Sequence, residues 1–245
     1  MSILQEVEPE NLDPVLDRIK SISYISRDFG HAIRNNLSIM NNAAEVIRMR
    51  MKTEDPKTIK CIDVIKEEVE KGEAILESLN FLGSITKGVK KNPVNLNEAL
   101  DQALKEIESE CSAKKIKIIK NCPLFPILSA DRWQLKEALA SLFKNALEAM
   151  EQDGTLELKG KAADTKAILE IKDSGSGMDQ VTLEKAFDPF FSGRGKRMGL
   201  GLPLTYAVVK NLKGQIKLES SPGKGTSVIL EIPIGETGIE GGKHE

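Results

Sequence analysis

Apolar residues spaced by three, four and seven dominate the first ninety positions. They fall at Leu12, Val15, Ile19, Ile22, Phe29, Ile33, Met40, Ile47 and Met51, which is a heptad seam. Only Pro14 and Gly30 interrupt the stretch, and Pro14 suits a first helical turn. Thr53-Glu54-Asp55-Pro56 breaks the pattern, with Asp55 placed to cap a helix that Pro56 begins. A second seam runs through Ile59, Ile62, Ile65, Val69, Leu76 and Leu79. Two amphipathic helices joined by a short turn predict an antiparallel hairpin. One hairpin leaves a strip of Ile and Leu bare. Two copies cover it as a four-helix bundle, so a homodimer is expected. The alternative is packing of the hairpin onto the rest of the chain.

Beyond Gly83 the pattern changes. Gly83 to Val94 holds two glycines, several lysines and Pro93, and reads as a hinge. A helix is then expected from a cap at Asn95 or Asn97 to about Ser112. Another opens with Asp131 as its cap and buries Leu135, Leu139, Leu142, Ala146 and Met150. Strands are expected at 116–120, 155–159, 166–171, 215–218 and 227–232, and a helix at 200–212. Strands and helices without strict alternation predict an α+β class: a mixed sheet with helices on one face, an α/β sandwich. The expected division is a helical domain at 1–88, a sandwich domain at 89–235 and a disordered tail at 236–245.

The chain has 245 residues, 40% hydrophobic and 29% charged, with a formal net charge of -2. That charge gives no support for nucleic acid or an anionic membrane surface as partner. Cys61, Cys111 and Cys122 show no metal or redox spacing, so a buried, reduced thiol is expected at each, in a reducing compartment. No run has the length of a membrane span and the start is no signal peptide, so a cytoplasmic location is expected, even for a piece of a longer membrane receptor.

Candidate chemistry lies in two places. An apolar run, Ala167 to Ile171, leads into Asp173-Ser174-Gly175-Ser176-Gly177; a basic stretch with Arg194, Lys196 and Arg197 follows; Gly199 and Gly201 then open a helical stretch. Glycines at a helix start let backbone N–H groups approach a phosphate, where the helix dipole favours negative charge. Asn145 sits mid-helix, where asparagine has low propensity, and its amide oxygen suits Mg²⁺. Glu148, one turn on, is the next candidate for the metal, and Lys144 could meet a phosphate. In the first helix, Phe29 and Ile33 are expected to point inward, which turns His31 outward or to the flank. Arg34, Asn35, Asn36, Asn41 and Asn42 surround it with polar groups resembling a docking surface. An imidazole is partly neutral, hence nucleophilic, near pH 7.

Over roughly residues 20–233 the chain resembles a sensor histidine kinase of a two-component system. The helix with Asn145 resembles the N box of that family. Asp173-Ser174-Gly175-Ser176-Gly177 resembles the first glycine box, Phe187-Asp188-Pro189-Phe190-Phe191 the F box, and Gly199-Leu200-Gly201-Leu202 the second glycine box. Gly225-Thr226 resembles the final glycine-threonine step, and His31 to Leu37 the H box. The resemblance implies ATP in the sandwich domain, with Asp173 accepting from the adenine amino group and Asn145 carrying Mg²⁺. Residues 189–198, including Phe190, Arg194 and Lys196, would form a lid. Gly175, Gly177, Gly199, Leu200, Gly201, Leu202 and Thr226 would line the nucleotide. His31 would take the γ-phosphoryl group and pass it to an aspartate of a response regulator receiver domain. Asn35 would orient a water that dephosphorylates the regulator.

Three positions depart from the family. Ala32 stands where an acid usually follows the histidine, and loss of a general base typically costs about 10²–10⁴-fold. Asp28, three residues before His31, is the expected substitute. Asn36 replaces a helix-kinking proline, and Ser141 replaces an asparagine one turn before Asn145. The alternative function is a degenerate kinase, a scaffold that binds ATP or regulator with little autokinase activity. A third is an ATPase of the same superfamily that transfers nothing to protein.

Overall fold

The structure, a computed structural model, describes residues 5–7, 13–50, 55–86, 92–163, 165–193 and 199–234. For residues 5–7, 13, 14, 20, 22–29, 31, 32 and 86 it describes the backbone alone. Leu12, Met51, Thr53, Glu54, the 87–91 part of the expected hinge, Arg194, Lys196, Arg197 and the expected tail from 235 lie outside the described residues. Two compact units make up the chain. One spans residues 16–87; the other combines residues 1–15 with 88–245. The expected helical domain began at residue 1, whereas the first fifteen residues group with the second unit.

The first unit is a helical hairpin, α1 (Asp13–Arg50) and α2 (Pro56–Thr86). Asp55 caps α2 as the sequence suggests: its carboxylate accepts from the Thr58 N–H at 3.1 Å and the Thr58 hydroxyl at 2.6 Å. Contacts between the helices set an antiparallel register. Arg48 meets Asp63 at 3.0 Å, Glu45 meets Lys66, and the Leu37 methyls lie against Gly72, where a Cβ would sit 3.0 Å away. The heptad divides accordingly. Ala44, Ile62, Val69 and Leu76 are buried, while Ile33, Met40 and Ile47 remain 43%, 56% and 48% exposed. Ile33 therefore does not point inward within one hairpin. The residue four further on, Leu37, takes the place against α2. The bare strip expected of a single hairpin is present.

The second unit is built from β1 (Gln5–Val7), β2 (Asn92–Asn95), α3 (Leu96–Lys114), β3 (Lys117–Asn121), β4 (Ile127–Ala130), α4 (Arg132–Ala149), β5 (Thr155–Ala162), β6 (Lys166–Asp173), α5 (Gln180–Glu184), α6 (Gly201–Asn211), β7 (Gln215–Ser220) and β8 (Thr226–Pro233). Six strands form one mixed sheet in the order β1-β7-β8-β6-β5-β3; only β3–β5 is parallel. A separate pair, β2–β4, is antiparallel. Burial alternates along β5 to β8, placing Leu156, Leu158, Leu169, Ile171, Ile216, Leu218 and Leu230 on one face. Helices α4 and α6 cover that face, and α3 packs on α4. Each such aliphatic side chain contributes about 1.5–3 kcal/mol on leaving water.

Of the two expected caps for α3, Asn95 is the one used, accepting from the Asn97 N–H at 3.0 Å. Asn97 instead bridges to the 122–126 segment, donating to Pro123 O and accepting from the Phe125 N–H, both 2.9 Å. Asp131 caps α4 through the N–H groups of Trp133 and Gln134. The expected hinge narrows from both sides, because α2 continues through Gly83 to Thr86 and β2 already holds Asn92. Strands β1, β2 and β4 are additions to the sequence reading.

Candidate nucleotide site

The C-terminal half of α4 is the meeting place of the candidate residues. At Asn145 it touches the start of α6 so closely that a Cβ on Gly201 would lie 2.6 Å from Ser141 Oγ and 3.0 Å from Asn145 Nδ2. One turn later, at Ala149, it touches the loop after β6. A Cβ on Gly175 would lie 2.5 Å from Ala149 O, and the Ser176 N–H donates to that same oxygen at 2.9 Å. Gly175 and Gly201 are thus required by the packing of protein on protein.

Asp173, at the end of β6, is buried. Its Oδ1 accepts from the Gly175 N–H at 2.8 Å and the Thr226 N–H at 3.3 Å. Gly225 lets β8 begin there: its φ is +77°, and a Cβ would fall 1.9 Å from Asp173 O. Gly177, at φ +65°, lies equally tight on Ser221 O.

A residue that the sequence reading did not single out joins these parts. Ser220 is fully buried at the end of β7. Its Oγ accepts from the Met178 N–H at 2.9 Å, donates to Gly225 O at 2.9 Å, and lies 3.0 Å from Thr226 Oγ1. A signal was present: Ile216, Leu218 and Ser220 share the inward face of one strand, so a hydroxyl stands at a core position.

Helix α6 starts without a side-chain cap, since Leu200 provides none. Its first N–H groups therefore have no side-chain acceptor there. Thr205 locks the helix in place, donating to Gly201 O at 3.0 Å with Ala138 O of α4 at 3.3 Å. Before α6, Phe190 holds a left-handed backbone at φ +68° and is 48% exposed. Its N–H donates to Gly199 O at 3.1 Å, which closes the base of the 190–199 loop. Leu200 is buried and Leu202 half-buried. Phe187 of the same aromatic run packs on Tyr206 of α6, ring centroids 5.8 Å apart. Arg194 and Lys196 lie outside the described residues.

Of the two other α4 candidates, Lys144 turns to α3, where Glu106 Oε2 lies 3.4 Å from its Nζ. Burial pushes the Glu106 carboxyl up, but hydrogen bonds and charge from Lys136 and then Lys144 hold it below its ordinary value. Glu148 is half-buried one turn after Asn145 and has interactions of its own. Among the described residues no three His, Cys, Asp or Glu side chains cluster as a metal site. A magnesium ion does not need such a cluster. It takes one or two protein oxygens and completes its shell with phosphate oxygens and water. The Asn145 amide fits that role: it is half-buried and makes no hydrogen bond among the described residues.

In the helical unit, Arg34, Asn35 and Asn36 are exposed, as the polar cluster around position 31 requires. The side chains of His31, Asp28 and Ala32 lie outside the description; all three positions are on α1. Cys111 is buried and Cys122 half-buried, and burial raises both thiol pKa values; Cys61, also expected to be buried, is exposed on α2.

Residues 130–236 match the family described as histidine kinase-, DNA gyrase B- and HSP90-like ATPase. Across nearly the whole chain, the similarity is to kinases. Sporulation kinase C of Bacillus subtilis is 27% identical over 227 residues, covering 92% of this chain and 52% of its own length. The sensory histidine kinase/phosphatase NtrB of Rhodobacter capsulatus is 26% identical, covering 95% and 70%. The proteins it resembles thus include several named as histidine kinases. Among solved structures, the catalytic domain of histidine kinase ThkA is 27% identical with a TM-score of 0.54, covering 59% of this chain and 95% of that one. ThkA in complex with response regulator protein TrrA has the same fold over 91% of this chain and 65% of that one, at 24% identity and a TM-score of 0.63. The chain thus spans about half the length of sporulation kinase C. Among the described residues, no helix is long and apolar enough to cross a membrane.

Proposed function

We propose that this chain is the core of an ATP-dependent protein histidine kinase that phosphorylates itself on His31 and passes the phosphoryl group to an aspartate of a response regulator. The observation that carries the reading is the meeting of an unengaged Asn145 amide with the start of α6, beside the Asp173 loop. In this reading adenine donates its amino hydrogen to the Asp173 carboxylate. The phosphates lie against the first N–H groups of α6, where the helix dipole offsets their charge. Asn145 holds Mg²⁺, which neutralises phosphate charge when bound. An imidazole nitrogen of His31 forms the N–P bond as the bond from phosphorus to the ADP oxygen breaks. Asp28 takes the imidazole proton in place of the acid absent at Ala32. Placement of the two reactants supplies most of the acceleration in such transfers.

The regulator then meets the polar surface around Arg34, Asn35 and Asn36. ThkA is seen with a response regulator, which supports this class of partner. Asn35, exposed on α1, orients a water that hydrolyses the regulator's acyl phosphate in this reading, and the name of NtrB includes a phosphatase. A homodimer covers Ile33, Met40 and Ile47. Ala32 favours a second reading, a scaffold that binds nucleotide or regulator without labelling itself. Incubation with γ-labelled ATP and Mg²⁺ separates the two. Label retained on the chain and abolished by His31→Ala is expected. Nucleotide binding without label supports the scaffold, and free phosphate release unaffected by His31→Ala supports a simple ATPase.

A further inference from the structure

Strand β1 precedes the helical unit in the chain yet belongs to the sheet of the other unit. It pairs antiparallel with β7, with Gln5 opposite Ser220, Glu6 opposite Glu219 and Val7 opposite Leu218. The helical unit is therefore inserted between two segments of the ATP-binding unit. Two tethers connect them: six peptide steps lead from Val7 to Asp13 at the start of α1, and six from Thr86 at the end of α2 to Asn92. Six steps reach at most about 20 Å. With β1 seated, chain length limits Asp13 to that reach from Val7 on the six-stranded sheet, as it limits Thr86 from Asn92 on the separate β2–β4 pair. With β1 detached, only the second of these two limits remains.

The pairing is built to be weak. It is three residues long, and it sets Glu6 directly across from Glu219; like charges in that position repel. Glu219 has a partial partner in Lys217, 3.7 Å away, on its own strand. Pro9 in the sequence offers no N–H with which to lengthen the ladder. The edge that β1 covers leads straight into the nucleotide site, because Ser220, opposite Gln5, is the residue that binds Met178, Gly225 and Thr226 together.

We propose that residues 5–7 form a detachable strap on the β7 edge: seated, it restrains the ATP-binding unit and slows phosphoryl transfer to His31; released, it permits the transfer. The effect on transfer rests on the kinase reading above, whereas the seating itself does not.

The test uses the full chain with Glu6→Cys and Glu219→Cys in a Cys61→Ser background. Opposed residues of an antiparallel pair have Cα atoms about 4.5–5.5 Å apart, within disulfide range. Oxidation is expected to form the 6–219 bond and reduction to open it. Hydrogen exchange at the amides of 218–220 should be faster in the unsubstituted chain, which keeps the Glu6–Glu219 opposition, than in the oxidised variant. Labelling from γ-labelled ATP should be about fivefold or more slower when oxidised, and recover on reduction. Failure to form the bond overturns the seating. Equally slow exchange in the unsubstituted chain and the oxidised variant overturns detachment. Equal labelling in both states overturns the restraint. Absence of label in the unsubstituted chain instead overturns the kinase reading and the restraint built on it, and leaves bond formation and exchange to decide the seating.

Discussion

At Gly201 a single methyl group would reach directly into the candidate site. A Cβ there would press on Ser141 Oγ and the Asn145 amide together. Gly201→Ala is expected to fold, because serine and asparagine can turn aside, but to displace the amide from its place at the start of α6. Fluorescent-nucleotide titration should show roughly tenfold weaker binding of Mg²⁺-ATP, equivalent to about 1.4 kcal/mol. Adding Ser141→Ala, which removes the crowding hydroxyl, should restore part of it; no recovery would place the damage elsewhere. Ser220 makes the complementary case. Ser220→Ala strands the Met178 N–H and removes a donor from Gly225 O. Unpaired buried groups of this kind cost about 1–3 kcal/mol, a loss that urea denaturation of the full chain would report. Asn145, Asp173 and the glycines were legible in the sequence as residue types out of keeping with their local pattern. Ser220 was passed over because serine near a Gly-Lys-Gly turn looks ordinary; only strand parity makes it a core residue.

Between elements, the α3–α4 contact carries a charge cluster of Glu106 with Lys136 and Lys144. The folded carboxyl of Glu106 titrates below its ordinary value. Its contribution is therefore complete above the usual carboxylate range and disappears as pH falls through the lower folded value. The groups are partly exposed, so less than about 1 kcal/mol is at stake. Thermal melts should find Glu106→Gln less stable than the parent at pH 7, with the gap closing as pH falls below the usual carboxylate range; a gap that persists in acid would mean that charge is not its source. The long elements were readable because each repeats its signal: the hairpin over several heptads, α4 by a cap and five apolar positions. The short strands β2 and β4 carry four residues each and gain their pairing from one another across the α3 helix, which no local pattern announces. Ile33 was misplaced for a related reason. A heptad marks both stripes of a bundle helix without saying which one faces its hairpin partner and which a second copy.

For the whole molecule, the bare stripe of Ile33, Met40 and Ile47 sets the expected assembly. Met40→Glu with Ile47→Glu should convert the dimer to monomers in sedimentation experiments while helix content by circular dichroism is retained. If the substituted chain stayed dimeric, another surface would have to hold it. Residue order adds a constraint of its own. Gln5 is synthesised roughly two hundred residues before its partner Ser220, so this contact has a very high sequence separation. The hairpin, whose contacts are near in sequence, can form and find a second copy while the sheet is still being synthesised. Seating of residues 5–7 must then wait for β7, which is made only after the whole hairpin.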